Sequence, residues 1–159
     1  MEMRPLRSAD SHQIWKINEE GLPGTGKVSE EEIVNLLNYS SLSLGAFDED
    51  DLLGFVICLP PKTTYGSLNY SWFNQRYEQF VYVDRVAVSS QYRNQKIGSS
   101  LYLEVFKHAE IIGAPVTAEV NLRPPNSESV RFHLRHGFCE IGELEHEDKA
   151  VILMLRVPE

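Results

Sequence analysis

The sequence predicts an α/β fold, a twisted mixed β-sheet of about six or seven strands with about four helices on its faces. Three observations predict it. Apolar residues change period along the chain, alternating in some segments and recurring every three to four residues in others. After two leading helical segments the order reads ββ, β, α, β, α, ββ. The central run Phe80–Val88 is apolar nearly throughout, as a strand covered on both sides should be.

Each element has its own signature. Ile14, Trp15 and Ile17 among polar neighbours predict a first helix over Ser8–Glu20, ended by Gly21. Ser29 followed three residues later by Glu32 is a capping box, and Ile33, Leu36 and Leu37 supply the apolar face of a second helix. Ser43–Phe47 and Leu52–Leu59 read as a hairpin around the acidic run Asp48–Asp51, closed by Pro60-Pro61. Lys62–Gln79 is polar, rich in aromatics and fits neither period, so it is expected as a long functional loop. The strand Phe80–Val88 carries two charges at its centre, Asp84 and Arg85. Ile97, Leu101, Val105, Ala109 and Ile112 then mark one face of a helix that Gly113 and Pro115 stop. A strand at Val116–Leu122, a Pro-Pro loop, a short helix over Ser127–His136, and strands near Phe138–Leu144 and Ala150–Val157 complete the chain.

Its 159 residues suit one domain, expected to span 1–159. No apolar stretch is long enough to cross a bilayer, and the start Met1-Glu2-Met3-Arg4-Pro5 lacks the pattern of a secretory signal, so a cytoplasmic protein is expected. A formal charge of −8 argues against nucleic acid as partner and tolerates a cationic one. Cys58 and Cys139 lie in strand-like stretches with no CxxC and are expected as buried, reduced thiols. His12, His108, His136 and His146 form no metal-ligand grouping, so no metal is expected. Gly21–Val28 matches the P-loop pattern except at its last position. Val28 cannot ligate magnesium and no strand precedes the segment, so it reads as a plain loop.

The most informative stretch runs from Asp84 to Ser99: a buried strand, a polar turn, and a helix opening at Lys96-Ile97-Gly98-Ser99. A helix amino terminus offers unpaired N–H groups and partial positive charge to a pyrophosphate, and a glycine there lets oxygen atoms approach. Arg93-Asn94-Gln95-Lys96-Ile97-Gly98 resembles the Gln/Arg-x-x-Gly-x-Gly/Ala signature of the GCN5-related N-acetyltransferase (GNAT) superfamily, with Lys96 replacing the middle glycine. Further on, Asn126, Ser129, His133 and Gly137-Phe138 stand where that family shows Asn-x-x-Ala-x-x-x-Tyr and then Gly-Phe. The wider run from Glu119 to Phe138 looks like an uncharacterised bacterial branch of predicted acetyltransferases, in which histidine at that place is usual.

The resemblance implies a sheet splayed between the Phe80 and Val116 strands to admit a pantetheine arm. Acetyl-CoA would be co-substrate and an amine the acceptor, with no nucleic-acid or membrane partner. Relatives often pair, which leaves room for a homodimer. Val86, Ala87 and Val88 would offer backbone to the cofactor; Arg93, Asn94, Gln95, Lys96, Ile97, Gly98 and Ser99 would hold its pyrophosphate; and Asn126 and His133 would line its far side. Asp84 or Glu119 would be the general base, each with a structural ion-pair reading beside it, and His133 the general acid, with a hydrogen-bonded surface histidine as the alternative. Alternation puts Asp84 and Val86 on one strand face. Tyr70, Trp72 and Asp84 are the candidate acceptor contacts, although the aromatics could equally cover the sheet edge. The aromatic segment Tyr65–Tyr77 would crowd the acceptor side, which leans toward a primary amine of a small molecule. Other readings stay open: a catalytically silent acyl-CoA sensor or partner-binding module, since the usual acid tyrosine is missing, and an enzyme that uses another acyl-CoA or acts on a protein amine.

Overall fold

A computed structural model describes residues 1–159. The strands are β1 (Glu2–Pro5), β2 (Leu42–Asp48), β3 (Asp51–Leu59), β4 (Val81–Val88), β5 (Val116–Arg123), β6 (Cys139–His146) and β7 (Lys149–Arg156). They make one seven-stranded sheet in the order β1-β2-β3-β4-β5-β7-β6. Only the β4–β5 pair is parallel; the others are antiparallel. Five helices flank it: α1 (Ser11–Glu20), α2 (Glu30–Tyr39), α3 (Leu68–Arg76), α4 (Ile97–Ile112) and α5 (Ser127–Arg135).

Local chemistry explains most boundaries. Ser29 Oγ accepts from the Glu32 amide and Glu32 Oε1 from the Ser29 amide, both at 3.1 Å, which starts α2. Gly113 ends α4 in the left-handed region, at φ +70°, where glycine has no Cβ to clash. Two elements differ from expectation. The aromatic segment holds α3, capped by Ser67, because Tyr70 and Phe73 bury themselves one turn apart while the rest of the helix stays polar or exposed. The edge strand β1 has four residues and pairs only with β2, too short a run for alternation to register.

The sheet separates two cores. Val81, Val83, Ala118 and Val120 pack with Leu101, Tyr102 and Val105 of α4, while Phe55, Ile57, Tyr82 and Leu153 pack with Ile14, Ile33 and Phe73 from α1, α2 and α3. Burial at about 25 cal/mol per Å² on both faces is what fixes the layers. Cys58 is buried as expected, but Cys139 is exposed because β6 is an outer strand.

Two irregularities in β4 open the sheet at its centre. Opposite β3, Ile57 faces Arg85 and Cys58 faces Val83, so Asp84 is one residue too many and forms a bulge. The bulge reverses the alternation beyond it. Val81 and Val83 join the α4 core, as do Val86 and Val88, whereas Tyr82 and Ala87 pack on the opposite face. Asp84 and Val86 therefore do not share a face, contrary to simple alternation. Against β5, only Val81 and Tyr82 are paired, with Val116 and Thr117. From Val83 onward the two strands diverge, and the sheet opens into a wedge.

Candidate active site

The wedge becomes a cleft of about 610 Å³ reaching both faces of the sheet. It is lined on the α4 and α5 side by Val86, Val88, Tyr102 and His133, and on the α1 side by Tyr65, Asp84 and Glu119. A second recess of about 500 Å³ continues from Val86–Val88 to Arg93, Asn94 and Lys96–Ser99.

That recess is built by the turn into α4. Asn94 and Lys96 both take left-handed backbone, at φ +65° and +63°. The conformation at Lys96 is the one a glycine adopts without cost, which explains how lysine keeps the path of the Gly-containing signature at a penalty of about 1 kcal/mol. The first bond of the helix runs from the Ser100 amide to the Lys96 carbonyl at 3.0 Å, and the amides of Ile97, Gly98 and Ser99 have no acceptor within the chain. A Cβ built on Gly98 would point between Phe132 and Val88, at 3.8 and 3.9 Å, into the recess. Gln95 is exposed at the turn and lines neither cavity.

On the opposite side, Glu119 sits in β5 facing away from α4. Tyr82 donates to its Oε1 at 2.7 Å, and its Oε2 is buried with no hydrogen-bond partner. Burial first, and then the nearby Asp84 charge, push its pKa from 4.5 up to about 8, against the pull of the Tyr82 hydrogen bond. Asp84 is engaged differently. Its Oδ2 accepts from Arg85 Nε at 2.7 Å, with both side chains almost fully buried. Arg85 also donates to Asn18 Oδ1 at 3.1 Å and to the Gly26 carbonyl at 2.9 Å. Burial alone would lower its pKa, but the Asp84 carboxylate outweighs that and raises it. The pair thus anchors the loop between α1 and α2, the near-match to a P-loop, which lines the cleft from Gly21 to Lys27. Asn121 Nδ2 fastens the same loop to β5 through the Pro23 carbonyl at 2.9 Å.

His133 is 4% exposed, which discards the surface reading. Its Nδ1 is 2.7 Å from the Ser129 carbonyl and its Nε2 is 2.6 Å from the Tyr102 hydroxyl. A carbonyl can only accept, so the neutral ring carries its proton on Nδ1 and Nε2 accepts from Tyr102. Burial chiefly lowers its pKa below 6.5. Asn126 caps α5, its Oδ1 accepting from the Ser129 amide at 3.3 Å, and also lines the cleft.

The acceptor-side aromatics divide otherwise than expected. Tyr70 is 1% exposed, donates to the Pro60 carbonyl at 2.6 Å and is outside the cleft. Trp72 packs over Gly142 and under Arg76 and is also outside it. Helix α3 turns both away, and Tyr65, Ser67 and Asn69 line the cleft instead. Sequence reasoning missed Tyr82, Tyr102, Asn69 and Asn18. Each lies off the apolar face counted for its element or in the unrecognised helix, and only the strand pairing brings them to the centre.

No group of three or more His, Cys, Asp or Glu residues could hold a metal ion, and no helix is long and apolar enough to cross a membrane. No sequence match is found among curated proteins. Solved structures do match. A ribosomal-protein-alanine N-acetyltransferase from Brucella melitensis superimposes with a TM-score of 0.74 at 20% identity, over 99% of each chain. An acetyltransferase of the GNAT family from Streptococcus pneumoniae gives 0.74 at 20% identity, again over 99% of each chain. Arabidopsis thaliana NAA60, in complex with a bisubstrate analogue, gives 0.78 at 20% identity over 98% of this chain and 97% of its own. At such identities the likeness establishes the shared fold. The sequence profile of the acetyltransferase (GNAT) family matches residues 11–138, most of the chain. Together with the splayed β4–β5 pair and the open amides of α4, that match places the protein: it is an acyltransferase belonging to the acetyltransferase (GNAT) family.

Proposed function

We propose that the protein transfers an acetyl group from acetyl-CoA directly to a primary amine of a small molecule. The observation that carries this reading is a cleft through the sheet that holds an unpartnered carboxylate oxygen and is continued, past Val86–Val88, by a recess lined by the residues of three unbonded helix amides.

The residues present suit the co-substrate. Gly98 leaves open a space that a branched side chain would fill, and the free amides of Ile97, Gly98 and Ser99 with Arg93 and Lys96 match a pyrophosphate in charge and donor type. Val86–Val88 and Asn126 would flank the pantetheine. When bound, acetyl-CoA supplies an activated thioester. Contacts at the turn would be largely main-chain, so lysine can replace glycine at position 96 without erasing the site.

Glu119 is the proposed base. Asp84 already neutralises a buried guanidinium and would have to abandon it, whereas Glu119 Oε2 has a lone pair to spare. It takes a proton from the acceptor ammonium, directly or through one water; the freed amine attacks, and as the C–N bond forms the nitrogen gives up a second proton to water. His133 holds the proton that the departing sulfur takes up. Neither cysteine lines the cleft, and orientation of the two reactants supplies much of the acceleration.

The fastened loop between α1 and α2, together with Tyr65, Ser67 and Asn69, narrows the acceptor entrance and favours a small amine over a folded protein. The test is thiol release from acetyl-CoA with a panel of small amines and short peptides. Turnover with small amines supports the reading, turnover only with peptide amino termini moves the acceptor class, and tight acetyl-CoA binding without any turnover replaces the enzyme with a sensor.

A further inference from the structure

We propose that the Tyr102 hydroxyl, and not the His133 imidazole itself, hands the proton to the departing sulfur, with His133 resupplying Tyr102. The inference rests on the acetyl-transfer reading and goes one atom deeper. Both nitrogens of His133 are occupied, Nδ1 by the Ser129 carbonyl and Nε2 by Tyr102, so a proton leaving the ring toward the cleft must cross the Tyr102 oxygen. Tyr102 lines the cleft together with Val86, Val88 and Glu119. The side chain is fully buried, and burial first, with the nearby Glu119 charge, raises its pKa well above that of a free phenol, so the hydroxyl keeps its hydrogen to give. Tyr102 comes from α4, not from α5. The tyrosine missing at position 133 is in effect supplied from the neighbouring helix.

The protonation state of His133 decides which way that hydroxyl points. With Nδ1–H fixed on the Ser129 carbonyl, the neutral ring has only a lone pair at Nε2, and Tyr102 spends its hydrogen there. In the imidazolium both nitrogens donate, so Nε2–H turns to the Tyr102 oxygen and the phenolic hydrogen is released toward the cleft. In the transfer step the Tyr102 O–H bond breaks as an S–H bond forms, and the His133 Nε2–H bond breaks as a new Tyr102 O–H bond forms. Imidazolium and thiolate become neutral imidazole and thiol, and no phenolate accumulates. Besides Tyr102, the titratable group acting on His133 is His136, just past the end of α5; Phe132 and Phe138 pack against the ring.

Tyr102→Phe removes one oxygen and keeps the ring among Phe106, Phe132 and Phe138. Turnover should fall about 100-fold or more, with acetyl-CoA affinity by calorimetry unchanged, and the alkaline fall of the rate profile should vanish, since the proton held by His133 no longer reaches the sulfur. A merely structural tyrosine would lower the melting temperature and leave turnover and profile alone, and that result overturns the relay. Nitrogen NMR of the histidine rings in the unaltered protein is a second readout, needing neither variant nor turnover: His133 should be the Nδ1–H tautomer when neutral, and a proton on Nε2 would equally overturn it. Absence of turnover in the unaltered enzyme with every acceptor would remove the transferase reading and the relay with it, whereas an active Tyr102→Phe enzyme counts against the relay alone.

Discussion

Tyr82 of β4 donates its hydroxyl hydrogen bond to Glu119 of β5 at 2.7 Å, joining by side chains two strands whose backbones have just separated. Tyr82 is the last residue of β4 paired with β5, so the bond spans the wedge at its apex. It holds the carboxylate at the point where both faces of the sheet become accessible.

Glu119→Gln tests the base. Turnover should drop by about 10² to 10⁴ while acetyl-CoA binding is kept. Stability gives an independent check. Because the folded pKa of Glu119 is raised from 4.5 to about 8, its contribution is fully present below pH 4.5 and is lost as pH rises through about 8. In urea denaturation the unaltered protein should weaken from about pH 4.5 up to about pH 8 relative to the Gln variant and run level with it above that, and parallel curves throughout would mean that the group is not shifted.

Tyr82→Phe should move the Glu119 midpoint above 8, because it deletes an interaction that favours the ionised form. Carboxyl carbon NMR over pH 6–10 reads the midpoint directly. A downward or absent shift contradicts the placement of the bond.

The rate should form a plateau bounded by two limbs. The proposed mechanism requires both ionised Glu119 and protonated His133, yet His133 titrates below 6.5 and Glu119 near 8. Between those midpoints each gain in base is matched by a loss of acid, so turnover is level; it falls below the first and above the second. His133→Phe should abolish the alkaline fall, leaving a rate that climbs to pH 8 and then stays flat. Persistence of the fall would assign it to another group.

Gly98→Val should weaken acetyl-CoA binding at least about tenfold, since its branches enter the space between Phe132 and Val88, whereas Gly98→Ala, whose Cβ meets ordinary contact distances, should be mild. Calorimetry with both variants decides it. Equal affinity in the Val variant would put the pyrophosphate elsewhere.

Arg85→Met should destabilise the fold by about 3–5 kcal/mol, because Asp84 is left as an uncompensated buried charge and the bonds to Asn18 and Gly26 go with it. Denaturant unfolding measures this. A loss below about 1 kcal/mol would mean that the Asp84–Arg85 pair does not hold the loop between α1 and α2 in place.

Much was determined by the sequence alone. The capping box at Ser29, the apolar face from Ile97 to Ala109, the covered strand ending at Val88 and the glycine at position 98 each rest on neighbours within a turn or two, so local pattern suffices to read them. The order of those elements carries the sheet. Helix α3 escaped because it buries only Tyr70 and Phe73, and β1 because four residues at an edge leave no period.

Only the tertiary structure decided how differently Asp84, Glu119 and His133 are surrounded. Asp84 becomes a structural partner because a one-residue bulge and the loop between α1 and α2 bring Arg85 beside it; Glu119 keeps a free oxygen because β5 leaves β4 after two residue pairs; and Tyr102 reaches His133 across 31 positions of sequence. The physical reason is that a group's charge depends on its burial and on partners distant in the chain, and residue spacing encodes neither.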